Sequence, residues 1–97
     1  MDPINEIQIT LTDSDSAFSS ISARIDDEGC LRMEGQDMGE AVENIWSHDD
    51  HEYCVSVDGS FKDTILLLLV KDRFKTVQEF RRWLALTHIP GQFYSWP

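Results

Sequence analysis

Five consecutive residues, His48-Asp49-Asp50-His51-Glu52, put two imidazoles and three carboxylates into one short segment. Imidazole and carboxylate together can hold zinc or another divalent ion. Ligands this close in sequence point in different directions, however, and no distant His or Cys pair completes a coordination set. The segment is therefore expected to be a solvated loop holding no metal, and no cofactor is expected elsewhere. The two thiols, Cys30 and Cys54, lie in the most acidic part of the chain, where carboxylates raise a thiol pKa and suppress the nucleophilic thiolate. They read as structural free thiols of a reducing compartment. Gly35-Gln36-Asp37-Met38-Gly39 lacks the Lys-Ser/Thr ending of a phosphate-binding loop and the spacing of a dinucleotide fingerprint. It reads as a strand-to-helix turn. Pairs of carboxylates abound, as in any acidic protein, and single out no acid–base couple. No enzyme is expected.

The elements that would position these groups follow from periodicity. Residues 4–12 alternate Ile7, Ile9 and Leu11 against polar neighbours, which predicts a half-buried strand. Asp13 to Ser16 is turn chemistry. A second strand runs over 17–25, with Ala17, Ser19, Ile21, Ala23 and Ile25 facing one way. Asp26-Asp27-Glu28-Gly29 turns the chain into a third strand at Cys30 to Glu34. Asp37 with Glu40 then forms a capping-box pattern that predicts a short helix to about Trp46. A strand follows with Tyr53, Val55 and Val57 on one face. Thr64 to Val70 is apolar enough to be a buried strand or helix; the leucines and the Ser60/Asp63 start signal favour the helix. Thr76 with Glu79 opens a last helix to about His88, with Val77, Phe80 and Leu84 as its apolar stripe. Gln92 to Trp96 is expected to be a short strand or an extended arm. The class is α+β: an antiparallel meander of four to five strands packed against two to three helices, as one domain over residues 1–97.

Charge narrows the partners. The 97 residues carry 18 acidic against 8 basic side chains, a net charge of −10. That sign disfavours direct binding to nucleic acid, whose phosphates are met by Lys and Arg, and disfavours anionic membranes. It favours a basic protein through steered encounter. The charge is unevenly spread: residues 1–60 hold fifteen acidic and two basic side chains, residues 61–97 three and six. A surface made acidic only for solubility mixes its signs. The longest apolar run, Ile65 to Val70, falls far short of the roughly 20 residues that span a bilayer, and the N-terminal residues carry no secretion signal. A cytoplasmic protein is expected.

One stretch resembles a recognisable pattern. Gly29-x-Leu31-x-Met33-Glu34-Gly35-Gln36-Asp37-Met38-Gly39, Val42-Glu43, an acidic loop and Glu52-Tyr53 are similar to the core of a group of small bacterial proteins. Phe80-Arg81-x-Trp83-Leu84 and Ile89-Pro90-x-x-Phe93-x-Ser95-Trp96 resemble that group's ending, so the likeness covers roughly residues 28–97. Some members resemble immunity proteins, which neutralise a toxin made by the same cell. This chain departs from the pattern at His51 and at Gly91-Gln92, both where a partner could be read. The resemblance implies an immunity or antitoxin-like protein that neutralises a toxin, and the charge adds the expectation that it covers a basic effector, such as a nuclease, with an acidic face. Asp37, Glu40, Glu43, Asp49, Asp50 and Glu52 are the expected contacts. A phage-encoded DNA-mimic inhibitor of a defence nuclease would need the same face, and a small enzyme stands third.

Overall fold

A computed structural model of the chain describes residues 1–39 and 50–97. Four strands form one antiparallel sheet in the order β1-β2-β3-β4: β1 is Glu6–Asp13, β2 Ala17–Ile25, β3 Leu31–Gly39 and β4 Asp50–Val57. A single 3-10 turn, Gly59–Phe61, leads into helix α1 (Lys62–Arg73), and α2 (Val77–Thr87) follows. The α+β class and the meander are as expected. The described residues divide into a sheet unit, Ile4–Lys62, and a helical unit, Asp63–Pro97 with Met1–Pro3.

In the sheet unit the two hairpin turns follow from their acidic and glycine residues. The Asp26 carboxylate accepts from the backbone N–H groups of Glu28 (3.0 Å) and Cys30 (2.9 Å), and Gly29 takes a φ of 82°. That left-handed conformation favours glycine, so the β2–β3 turn needs Gly29 where it stands. In the first hairpin, Ser14 N–H donates to the Ala17 carbonyl at 2.8 Å.

Register sorts the side chains by face. Ala23 lies opposite Ile7 and Met33, and Met33 opposite Val55; Ile25, Leu31 and Val57 form the next row. Because strand side chains alternate, these rows share one apolar face. The other face carries Arg24, Arg32, Ser22, Glu34, Ser20 and Gln36. β1 departs from the simple alternation. Gln8 pairs with Ser22 and Thr10 with Ile21, so two steps along β1 match one along β2 and Ile9 is the extra residue of a β-bulge. The expected common face for Ile7, Ile9 and Leu11 is therefore broken: Leu11 pairs with Ser20 and joins the polar face, and Thr10 takes its place beside Ile21. The Gln8 amide stabilises the bulge by donating to the carbonyls of Thr10 (2.6 Å) and Ile21 (3.2 Å).

β3 runs five residues past its expected end. The turn expected at Gly35–Gly39 and the helix start expected at Asp37 are both strand, because the ladder pairs Asp37 with Ser19 on one side and His51 on the other. A capping-box pattern signals a helix only where the backbone is free to turn, and pairing on both sides overrides it. The rest of the expected helix, up to Trp46, lies outside the described residues.

In the helical unit the apolar run 64–70 is helical, as favoured. The 3-10 turn that precedes it is capped by the Asp58 carboxylate, which accepts from Ser60 N–H at 2.9 Å, two residues before the expected Ser60 start. Asp63 in the first turn and Lys71 and Arg73 in the last complement the helix dipole. α2 begins as expected: Thr76 Oγ1 accepts from Glu79 N–H at 3.0 Å, and the Glu79 carboxylate reaches back to Lys75 N–H at 2.9 Å. It ends at His88, whose φ of 59° is left-handed, so the chain turns two residues before Pro90. Phe74, between the helices, packs against Phe80 and Trp83 with ring centroids 5.1 and 5.7 Å away. Phe80 and Leu84 are half-buried, whereas Val77 is exposed, so the stripe contains Trp83 in its place. Gln92 to Trp96 forms no strand and is an arm, with Tyr94 stacked near Trp96.

Candidate binding surface

Charge follows the structural division. From the sequence, Ile4–Lys62 holds fourteen acidic and three basic side chains, a balance of −11; the helical unit holds four and five, a balance of +1. The acidic character belongs to the sheet unit.

On the polar face of the sheet, Arg24 and Arg32 stand directly opposite each other, a like-charge pair that would repel. The Glu34 carboxylate resolves it: Arg24 Nε donates to Glu34 Oε1 at 2.7 Å and Arg32 Nε to the same oxygen at 3.0 Å. Those two hydrogen bonds, Arg24's first, hold the Glu34 carboxyl below its ordinary pKa. A concavity of about 460 Å³ opens beside this trio, lined by Ser20, Ser22, Gln36 and Glu52 among others. Both arginines are thus engaged with Glu34 within the sheet.

The expected contact residues have the following places. Asp37 is half-buried near the end of β3, on the apolar side of the sheet. It accepts from Ser19 Oγ at 2.7 Å, and its charge acts on the Tyr53 phenol. Burial first, then the Asp37 charge, pushes the Tyr53 phenol above its ordinary pKa. His51 stacks on Tyr53 with ring centroids 5.4 Å apart. Ser19, Asp37, His51 and Tyr53 therefore form one cluster in which Ser19 donates to a carboxylate, an arrangement that ties β2, β3 and β4 together. Glu52 follows His51 in β4 and so points to the opposite face, where it is exposed and accepts from Gln36 Nε2 at 3.4 Å. Asp50 is the first residue of β4 and pairs with Met38, so it belongs to a strand and not to the expected loop. Glu40, Glu43 and Asp49 lie outside the described residues, as does His48.

His51 and Glu52 face opposite ways, so the two cannot ligate one ion together, and among the described residues no three His, Cys, Asp or Glu side chains converge as metal ligands would. Cys54 is exposed on β4, opposite Glu34; Cys30 is half-buried, and both are free thiols. No described helix is long and apolar enough to cross a membrane.

Sequence reasoning missed Asp13. The register places it in the row Asp13–Phe18–Met38–Asp50, which crosses all four strands at the end of the sheet where Glu52 also lies. Phe18, which breaks the polar pattern of its strand, was the visible signal; the bulge that aligns Asp13 with it was not. Comparison of the chain with protein-family models, curated proteins and solved structures finds no match.

Proposed function

We propose that this chain is a non-enzymatic, immunity or antitoxin-like binding protein that neutralises a basic effector, a nuclease toxin being the best fit to the charge. The observation that carries the reading is the division of charge: −11 in the sheet unit against +1 in the helical unit. A nuclease presents a positive channel to its phosphate substrate, so an acidic sheet end is steered into that channel and occupies it. Asp13 and Glu52 supply charge at that end, and Asp50, Glu40, Glu43 and Asp49 are proposed as contacts from the sequence. Asp37, held by Ser19, supports the strands that carry them. The protein works in the cytoplasm, where such an effector would act.

The test is capture followed by kinetics. The immobilised protein is used to capture its partner from the native host, and the partner is identified by mass spectrometry. Association rates are then measured over a salt series. A basic partner whose on-rate falls steeply from 0.05 to 1 M salt is expected, since the Debye length shrinks from about 10 Å at 0.1 M to about 3 Å at 1 M. Glu52→Lys should slow association and Arg81→Glu should not. An on-rate indifferent to both salt and Glu52→Lys would overturn the reading.

A further inference from the structure

The polar face of the sheet carries an apolar row where alternation alone would put none. Phe18 and Met38 are directly paired across β2 and β3, and Leu11 lies one row away on β1. Leu11 is 59% and Met38 37% exposed, and Phe18 is half-buried. Single exposed apolar side chains need no explanation, but three adjoining on an otherwise polar face do. Leu11 is there because of the bulge at Ile9; without the extra residue, the strand's period would turn Leu11 to the apolar face. Bulges commonly re-aim a side chain in this way, and here the Gln8 amide is committed to holding the bulge in place. Around the row stand Asp13 at its β1 end and Glu52 in the neighbouring row, with no basic residue in either row. The nearest basic residues on this face, Arg24 and Arg32, are both bonded to Glu34.

We infer that Leu11, Phe18 and Met38 are the apolar anchor of the docking surface, and that its occupant is a basic protein segment carrying an apolar side chain between lysines or arginines. The inference rests on the binding reading above and adds where and what the surface reads. Four strands spaced about 4.8 Å apart make the row about 14 Å wide, room for one large side chain flanked by its charged neighbours. An apolar centre inside a charged rim is the anatomy of an interface hot spot: the centre supplies affinity and the rim selects the sign of the partner.

Two synthetic decapeptides of equal positive charge test this, one with a central tryptophan among lysines and arginines, the other with glycine in its place. At low salt the tryptophan peptide should bind the intact protein at least tenfold more tightly and shift the methyl resonances of Leu11 and Met38. Leu11→Ser and Met38→Ser should each remove most of that advantage, while Val77→Ser in the helical unit should keep it. Equal affinity of the two peptides would overturn the anchor and leave the acidic reading standing. Failure of both to bind would overturn the acidic reading and the anchor with it. Should a serine variant fail to fold, the methyl shifts of the unaltered protein decide: shifts elsewhere overturn the anchor. A dimer in sedimentation that Leu11→Ser converts to a monomer would also overturn it, by making a second copy the occupant.

Discussion

The ring of Tyr53 lies across Gly35, its direct partner in the β3–β4 ladder, so closely that a methyl group on Gly35 would overlap the ring carbons. Glycine inside a strand ordinarily weakens it, and an aromatic side chain laid over it restores the lost packing. Here that placement also exposes the Tyr53 phenol to the Asp37 charge and stacks its ring on His51. Gly35→Ala should therefore destabilise the protein by about 1–3 kcal/mol, the usual cost of overpacking. Chemical denaturation measures it. A Tyr53→Ala background should remove most of that cost, because the obstructing ring is gone.

Tyr53 should ionise above the ordinary tyrosine range, and Asp37 is part of the reason. A raised pKa means that the neutral phenol is favoured in the folded state. Its contribution is fully present below the unfolded value of about 10 and lost as pH rises through the folded value. Ultraviolet titration in a Tyr94→Phe background isolates Tyr53. Asp37→Asn should move its midpoint down, by removing the neighbouring charge.

Glu34 gives the opposite dependence at acid pH. Its carboxyl is held low by Arg24 and Arg32, so the trio's contribution is present above the unfolded value of about 4.3 and lost as pH falls through the lowered folded value. Glu34→Gln should be less stable than the wild type near neutrality, and the two should converge in stability once Glu34 is protonated. Denaturation at a series of pH values checks this. A difference between them that does not change with pH would show that the carboxylate's charge is not what holds the arginines.

How much of this was legible in the sequence depends on whether the signal was local. The β2 face pattern, the Asp26–Gly29 turn and the Thr76/Glu79 cap were all readable, because each depends on residues within a few positions of one another. The end of β3 was not. Its local sequence signals a helix cap, and only the partners Ser19 and His51, 18 and 14 residues away, make Asp37 a strand residue. The bulge was hidden for the same reason: Ile7, Ile9 and Leu11 alternate without fault, and the extra residue exists only relative to β2. Of the expected contacts, Glu52 takes the polar face of the sheet and Asp37 the apolar face, a distinction that depends on the same register.

The helical unit should be held together by its aromatic contacts more than by helix propensity. Phe74 sits in the short link between α1 and α2 and meets both Phe80 and Trp83, whose rings lie 6.3 Å apart. Each aromatic pair is worth about 0.5–1.5 kcal/mol beyond the area it buries. Phe74 and Phe80 are half-buried, so their truncation should cost less than the ~3–5 kcal/mol typical of a fully buried phenylalanine. Phe74→Ala and Phe80→Ala are each expected to cost about 2 kcal/mol, and Thr76→Ala, which removes the cap between them, about 1 kcal/mol. Because Phe74 and Phe80 touch, their double variant should cost less than the two singles added together, by about 0.5 kcal/mol or more. Equilibrium denaturation of the four proteins completes the cycle. Strict additivity would mean that Phe74 and Phe80 act independently, and that the cap and the helices' own propensity hold the elbow in place.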